Sequence, residues 1–138
     1  MNIHTFIFLI SCSFIGVSCG KLKPQEALSQ KWKLDGVAIP PKNNVDSLPF
    51  KPVEISKAKI SYHFNPNKTY TIQRGTQVEG SGNWGISSNE KVLVLHSNQK
   101  STENEEFRIK ELTYNRLVLI SEHRGSLEAL YFSPLIVE

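Results

Sequence analysis

The chain has 138 residues, 39% of them hydrophobic and 21% charged, with a formal net charge of +3. That length suits one domain with one modest core. The basic residues stand singly among acids (Lys57, Lys59, Arg74, Lys91, Lys100, Arg108) and form no run able to neutralise many phosphates, so no nucleic-acid partner is expected.

The first element is apolar, running Ile-His-Thr-Phe-Ile-Phe-Leu-Ile from Ile3 to Ile10 and on to Val17. About fifteen mostly apolar residues suit the core of a secretory signal and are short for a spanning helix. The run ends in Gly16-Val17-Ser18-Cys19-Gly20, which resembles the lipobox of bacterial lipoproteins, where the cysteine is acylated before cleavage. The expected organisation is a cleaved signal peptide over 1–18, a lipidated tether over 19–30 starting at Cys19, and a folded domain over 31–138. A lipid bilayer is then a partner, reached through palmitate-type chains worth about 0.8 kcal/mol per buried methylene. The expected location is the cell envelope, either the periplasmic side of an outer membrane or the cell surface. Leu9-Ile10-Ser11-Cys12 is a second lipobox-like set, and an uncleaved hydrophobic helix is a third reading. In the first reading Cys12 leaves with the leader, and the domain has no internal disulfide.

Gly20–Gln30 is polar with one helical hint at Pro24-Gln25-Glu26-Ala27-Leu28, proline being tolerated in a first turn. Lys31–Val37 alternates apolar and polar residues and reads as a strand. Ala38–Pro52 carries Pro40, Pro41, Pro49 and Pro52, which cannot supply a sheet ladder, so a long loop is expected there. Seven further strands are expected, over Ile55–Phe64, Thr69–Arg74, Gln77–Ile86, Lys91–His96, Glu105–Leu112, Arg116–Glu122 and Leu127–Ser133, separated by short polar turns. No helical pattern intervenes, which excludes parallel βαβ units. Eight sequential antiparallel strands favour an all-β, up-and-down barrel, because closure removes unpaired edges. A sandwich would need long crossing connections, and only Ala38–Pro52 is long enough for one.

Three features carry a resemblance: Trp32 in Leu28-Ser29-Gln30-Lys31-Trp32-Lys33-Leu34, the hairpin Ile60-Ser61-Tyr62-His63-Phe64-Asn65-Pro66-Asn67-Lys68-Thr69-Tyr70, and the strand Gly82-Asn83-Trp84-Gly85-Ile86. Together, over roughly Leu28–Pro134, they are similar to the lipocalin-like domains of lipoproteins from Bacteroidetes-type bacteria. Gln30 stands where lipocalins usually carry glycine. The resemblance implies an eight-stranded barrel closed near Trp32, with an interior that takes a small apolar ligand or is filled by side chains.

Trp32, Tyr62, Phe64, Tyr70, Trp84 and Tyr131 are the candidate ligand-binding residues, since aromatics at period two can line a cavity as well as fill a core. His63, His96 and His123 each stand alone, so no metal site is expected. Glu103, Glu105 and Glu106 read as a solvated acidic edge. Gly80-Ser81-Gly82 lies on a strand, has no helix to aim at a phosphate, and reads as a bulge or bend. No nucleophile elbow or carboxylate pair is marked out, so no enzyme activity and no cofactor are expected. The leading function is non-covalent binding of a small apolar ligand by a membrane-anchored barrel. The alternative is a filled barrel that acts through its loops on an envelope protein, as an inhibitor of a cell-wall hydrolase or a subunit of a complex.

Overall fold

The computed structural model of the chain describes residues 20–40, 44–48, 53–54, 59–100 and 102–136. The signal-peptide and Cys19 assignments lie outside them. Among the described residues, helix α1 (Pro24–Leu28) leads into nine antiparallel strands: β1 (Lys31–Ala38), β2 (Val53–Glu54), β3 (Ile60–Phe64), β4 (Thr69–Arg74), β5 (Gln77–Ile86), β6 (Val92–Ser97), β7 (Glu105–Leu112), β8 (Leu117–His123) and β9 (Ser126–Pro134). β3 to β9 pair in chain order, and β1 closes the circle by pairing with both β9 and β3. The expected eight-stranded antiparallel barrel is therefore formed.

β2 is additional. It pairs Val53 with Val37 and Glu54 with Gly36, along the same edge of β1 that β3 occupies at Lys31–Lys33. The strand expected from Ile55 begins at Ile60, with 55–58 outside the described residues. The loop expected over Ala38–Pro52 contains one 3-10 turn, Val45–Ser47, capped by the Asn44 side chain accepting from the Asp46 amide at 3.1 Å. Prolines exclude a ladder and do not exclude a tight turn.

Local chemistry sets the hairpins. Arg124 and Gly125 both have positive φ (49° and 76°), which suits the two-residue turn between β8 and β9 that pairs His123 with Ser126. Lys68 and Glu90 also adopt positive φ in the turns after β3 and β5. Asn67 supports the first of these by accepting from the Thr69 amide at 3.1 Å. Three bulges interrupt the ladders, at Asp35 in β1, Glu79 in β5 and Lys110 in β7. The Glu79 bulge lies beside Gly80, as the glycine pattern suggests.

Two apolar clusters result. The inner one joins Leu28, Trp32, Phe64, Tyr70, Trp84, Leu93, Leu95, Phe107, Leu117, Leu119, Leu130 and Phe132. The outer one joins Ala38, Val118, Ile120, Ala129 and Tyr131, with Val45 and Leu48 laid over it. β8 and β9 thus bury both faces, one into the barrel and one under the 3-10 turn. Lys110 ties that turn down by donating to the Asp46 carboxylate at 2.9 Å. This hydrogen bond, followed by the Lys110 charge, holds the Asp46 carboxyl below the usual carboxylate range. Among the described residues, every member of both clusters lies at Leu28 or beyond.

Candidate functional site

Strands of an eight-stranded barrel tilt against its axis, so a row of cross-strand neighbours climbs as it passes around the wall. One row runs Trp32, Tyr62, Ile72, Gly80, and the next Phe64, Tyr70, Gly82, Ser97. A third runs Trp84, Leu95, Glu105, and a fourth Ile86, Leu93, Phe107, Ser121. The fifth and sixth are Ile109, Leu119, Leu130, Val37 and Leu112, Leu117, Phe132, Leu34.

Burial changes systematically along these rows. Most of their lower and middle members are core: Trp32, Phe64, Leu93, Leu117 and Leu119 are 0% exposed, whereas Ile86, Ile109 and Leu112, the first members of three rows, are half-buried. Their upper ends, Leu34, Val37, Ile72, Gly80, Ser97 and Ser121, are only half-buried, and Glu105 is exposed. Glu128 pairs with Ser121 and is also half-buried. The inward side chains are covered more fully at the end carrying α1 than at the other. We call the less covered upper part the cup: apolar inward side chains lower down, hydroxyls and carboxylates at its edge.

The base is sealed by specific contacts. The Trp32 indole N–H donates to the Leu28 carbonyl at 3.0 Å, tying the end of α1 into the barrel. The Trp84 indole donates to the Asn65 carbonyl at 3.0 Å, and the Phe64 ring meets Trp84 edge-on at 5.8 Å. The Lys68 ammonium lies 4.0 Å from the centre of the Trp84 ring. Trp32, Phe64, Trp84 and Tyr70 therefore act mainly as the plug under the cup.

Tyr62 is the candidate that faces the open half. Its ring stands edge-on to Phe132 at 5.1 Å and lies 6.2 Å from Phe64, so it forms the floor above the plug. Burial pushes its hydroxyl up to about 12, and the Glu105 carboxylate, Tyr70, Glu128 and Glu79 push in the same direction. One tyrosine should therefore ionise about two pH units late in an ultraviolet titration, and Tyr62→Phe should remove that late step. Because the folded pKa lies above the unfolded value of 10.0, the associated stability is complete below pH 10 and is lost as pH rises through about 12. A titration in which every tyrosine ionises together near pH 10 would contradict this placement.

Tyr131 is not part of the cup. It lies between Leu130 and Phe132, both of the inner cluster, so period two turns it outward onto Val118, Ile120 and Ala129. The Arg116 guanidinium lies 5.9 Å from its ring centre. The residues that alternation assigns to the cup beyond the aromatics are Leu34, Val37, Ile72, Gly80, Glu105 and Glu128. Glu105 is paired with Leu95 and so turns inward, whereas Glu106 is paired with Val94 and turns outward. The phase of Phe107, two residues on, is the signal that separates these two.

His63 points away from the inner cluster between Tyr62 and Phe64, and burial, then Lys31, lowers its pKa. Among the described residues no three His, Cys, Asp or Glu side chains gather as a metal site requires. Outside the barrel, a groove of about 400 Å³ runs between Val45, Val92, Ile109 and Ile120, with Lys91, Arg108 and Lys110 along it.

A family model described as a lipocalin-like domain matches residues 28–119. No curated protein matches the chain.

Proposed function

Because the chain belongs to the lipocalin-like domain family, we propose that its barrel binds one small, largely apolar molecule non-covalently while Cys19 carries an acyl anchor at a membrane of the cell envelope. The observation that carries the binding reading is the asymmetry of the interior. Around Tyr62, the inward residues Trp32, Phe64 and Trp84 on the α1 side are buried, and Leu34, Val37, Ile72 and Gly80 on the other side are half-buried. A barrel used only as a scaffold has no physical need for half-covered apolar walls, since closing them would add about 25 cal/mol per Å².

The ligand's apolar body rests on Tyr62, Ile72, Leu34 and Val37, and its polar end meets Ser97, Glu105, Ser121 and Glu128. Affinity comes from burial, and selectivity from the few polar groups at the rim. Gly80 leaves the space opposite Ile72. A Cβ built there would sit 3.7 Å from the Ile72 Cδ1, an ordinary contact. Gly80→Leu should therefore fill the cup and leave the wall intact.

The test is a thermal-shift screen of fatty acids, isoprenoids, haem and amine-bearing amphiphiles against the wild type and Gly80→Leu. A ligand at a hundredfold excess over its Kd stabilises the fold by about 2.7 kcal/mol, which raises Tm by roughly 10 °C. Gly80→Leu should unfold near the wild-type Tm and lose the shift. A shift that survives in Gly80→Leu would place the ligand elsewhere, with the outer groove beside Val45 the first place to look. If no compound shifts the wild type, the result counts against ligand binding and favours the alternative, a barrel that acts through its loops on an envelope protein. The anchor has its own readout: Cys19→Ser should abolish labelling by a clickable fatty acid, and Cys12→Ser should not.

A further inference from the structure

Among the described residues the plugged end of the barrel differs from the open end in charge, while exposed apolar side chains occur at both, Ile39 and Val78 being those at the open end. The plugged end comprises α1 and the turns after β3, β5 and β7, together with the strand ends that meet them. Its described charged side chains are six cations (Lys21, Lys23, Lys31, Lys68, Lys91, Arg116) and three carboxylates (Glu26, Glu90, Glu111). Two of those carboxylates are already engaged at 3.2 Å, Glu26 with Lys23 and Glu111 with Arg116. At the open end the balance of the described side chains reverses: four cations face six carboxylates, Glu105 and Glu128 among them.

The same plugged end exposes Tyr114 (52%), Leu135 (37%) and Ile136 (81%). These belong to one patch. The Gln30 side-chain amide donates to the Tyr114 carbonyl at 3.0 Å, and the Leu135 amide donates to the carbonyl of the next residue, Lys31, at 2.9 Å. The chain enters the fold at this end, through Gly20 and Lys21 into α1.

We propose that the plugged end lies on an anionic lipid surface, with the cup opening away from it into water. A tyrosine and two aliphatic side chains within a ring of lysines match the interfacial layer of a bilayer, where aromatic rings sit at headgroup depth and cations meet lipid phosphates. The net positive charge of the described residues at this end favours an anionic leaflet, and the net negative charge of those at the rim is repelled from it. The contact needs neither a cup ligand nor an acyl chain, so it stands or falls apart from the binding proposal.

The test uses the chain from Gly20 onward, which holds every described member of both apolar clusters and whose fold is checked first by circular dichroism, and co-sedimentation with phosphatidylglycerol–phosphatidylcholine vesicles at low and high salt. Partitioning should be strong at low salt, weak at high salt, and weak at all salts on pure phosphatidylcholine. Lys31→Glu combined with Lys91→Glu should lower partitioning at least about tenfold. Lys59→Glu combined with Lys100→Glu makes the same charge change at the open end and should leave it within about twofold. A fluorophore at position 136 should be quenched by brominated lipid, and one at position 125 should not. Equal loss in the two charge variants, equal binding to neutral vesicles, or quenching at position 125 would each overturn the proposal. Circular dichroism of both variants separates loss of the surface from loss of the fold.

Discussion

Replacing Trp32 with alanine should lower the unfolding free energy by about 3–5 kcal/mol, the range for deleting a buried aromatic side chain. Trp32 is 0% exposed at the foot of the row that carries Tyr62, Ile72 and Gly80. Its removal costs more than area. The Leu28 carbonyl loses its donor, and α1 loses the hydrogen bond that fixes its end to the barrel. With Leu28 and Ala27 both 0% exposed beneath the sheet, the loss opens the sealed base. Trp32→Phe keeps one aromatic ring in place and loses the N–H with the rest of the indole, so it should cost less, about 1–3 kcal/mol. Urea unfolding of the pair, followed by far-ultraviolet circular dichroism because the mutation removes a fluorophore, measures both. A loss under 1 kcal/mol for alanine would mean that α1 and Trp32 do not plug the barrel.

The same residue shows how far period two can be read from the sequence. Strands with one apolar face, such as Thr69–Arg74, announce both their extent and their inward side. β9 does not, because Ala129, Leu130, Tyr131 and Phe132 are apolar without a break. The sequence therefore cannot say which of Tyr131 and Phe132 faces the interior. The reason is structural: Val45 and Leu48, more than eighty residues earlier, cover the outer face, and no local pattern reports that. The bulges at Asp35, Glu79 and Lys110 have a similar effect, since one extra residue resets the alternation. Upstream of Lys110 the inward residue is Ile109, and downstream it is Leu112, three positions on.

The cup itself was hidden for another reason. A sequence gives the type of each inward residue and not its height on a tilted strand. Trp32, Phe64 and Trp84 are the most conspicuous aromatics, and the tilt places them all at the filled end. The positions that keep space open, Gly80 and the small hydroxyls Ser97 and Ser121, are conspicuous only once the rows are aligned across strands. That alignment also explains why the glycines of β5 are not interchangeable.

Gly82→Ala should destabilise the barrel by about 3 kcal/mol or more, at the upper end of what overpacking usually costs. A Cβ at this position would overlap the carbonyl oxygen of His96, a backbone atom of β6 that cannot rotate away, and would sit 3.0 Å from the Tyr70 Cε1. The absence of a side chain is what lets β6 cross close over β5 while the Tyr70 ring fills the row beside it, between Phe64 and Ser97. Relief requires separating β5 from β6 and breaking the ladder between Gly82 and Ser97. Two neighbouring glycines serve as controls. A Cβ at Gly85 meets nothing within 4 Å, and one at Gly80 makes only an ordinary contact with Ile72. Gly85→Ala and Gly80→Ala should stay within about 1 kcal/mol of wild type, because the entropy alanine removes from the unfolded chain acts in their favour. Thermal unfolding of the three variants should then rank Gly82→Ala alone far below the others. If all three lost stability equally, the cost would come from backbone conformation common to the strand, and the close crossing of β6 would not be what requires Gly82.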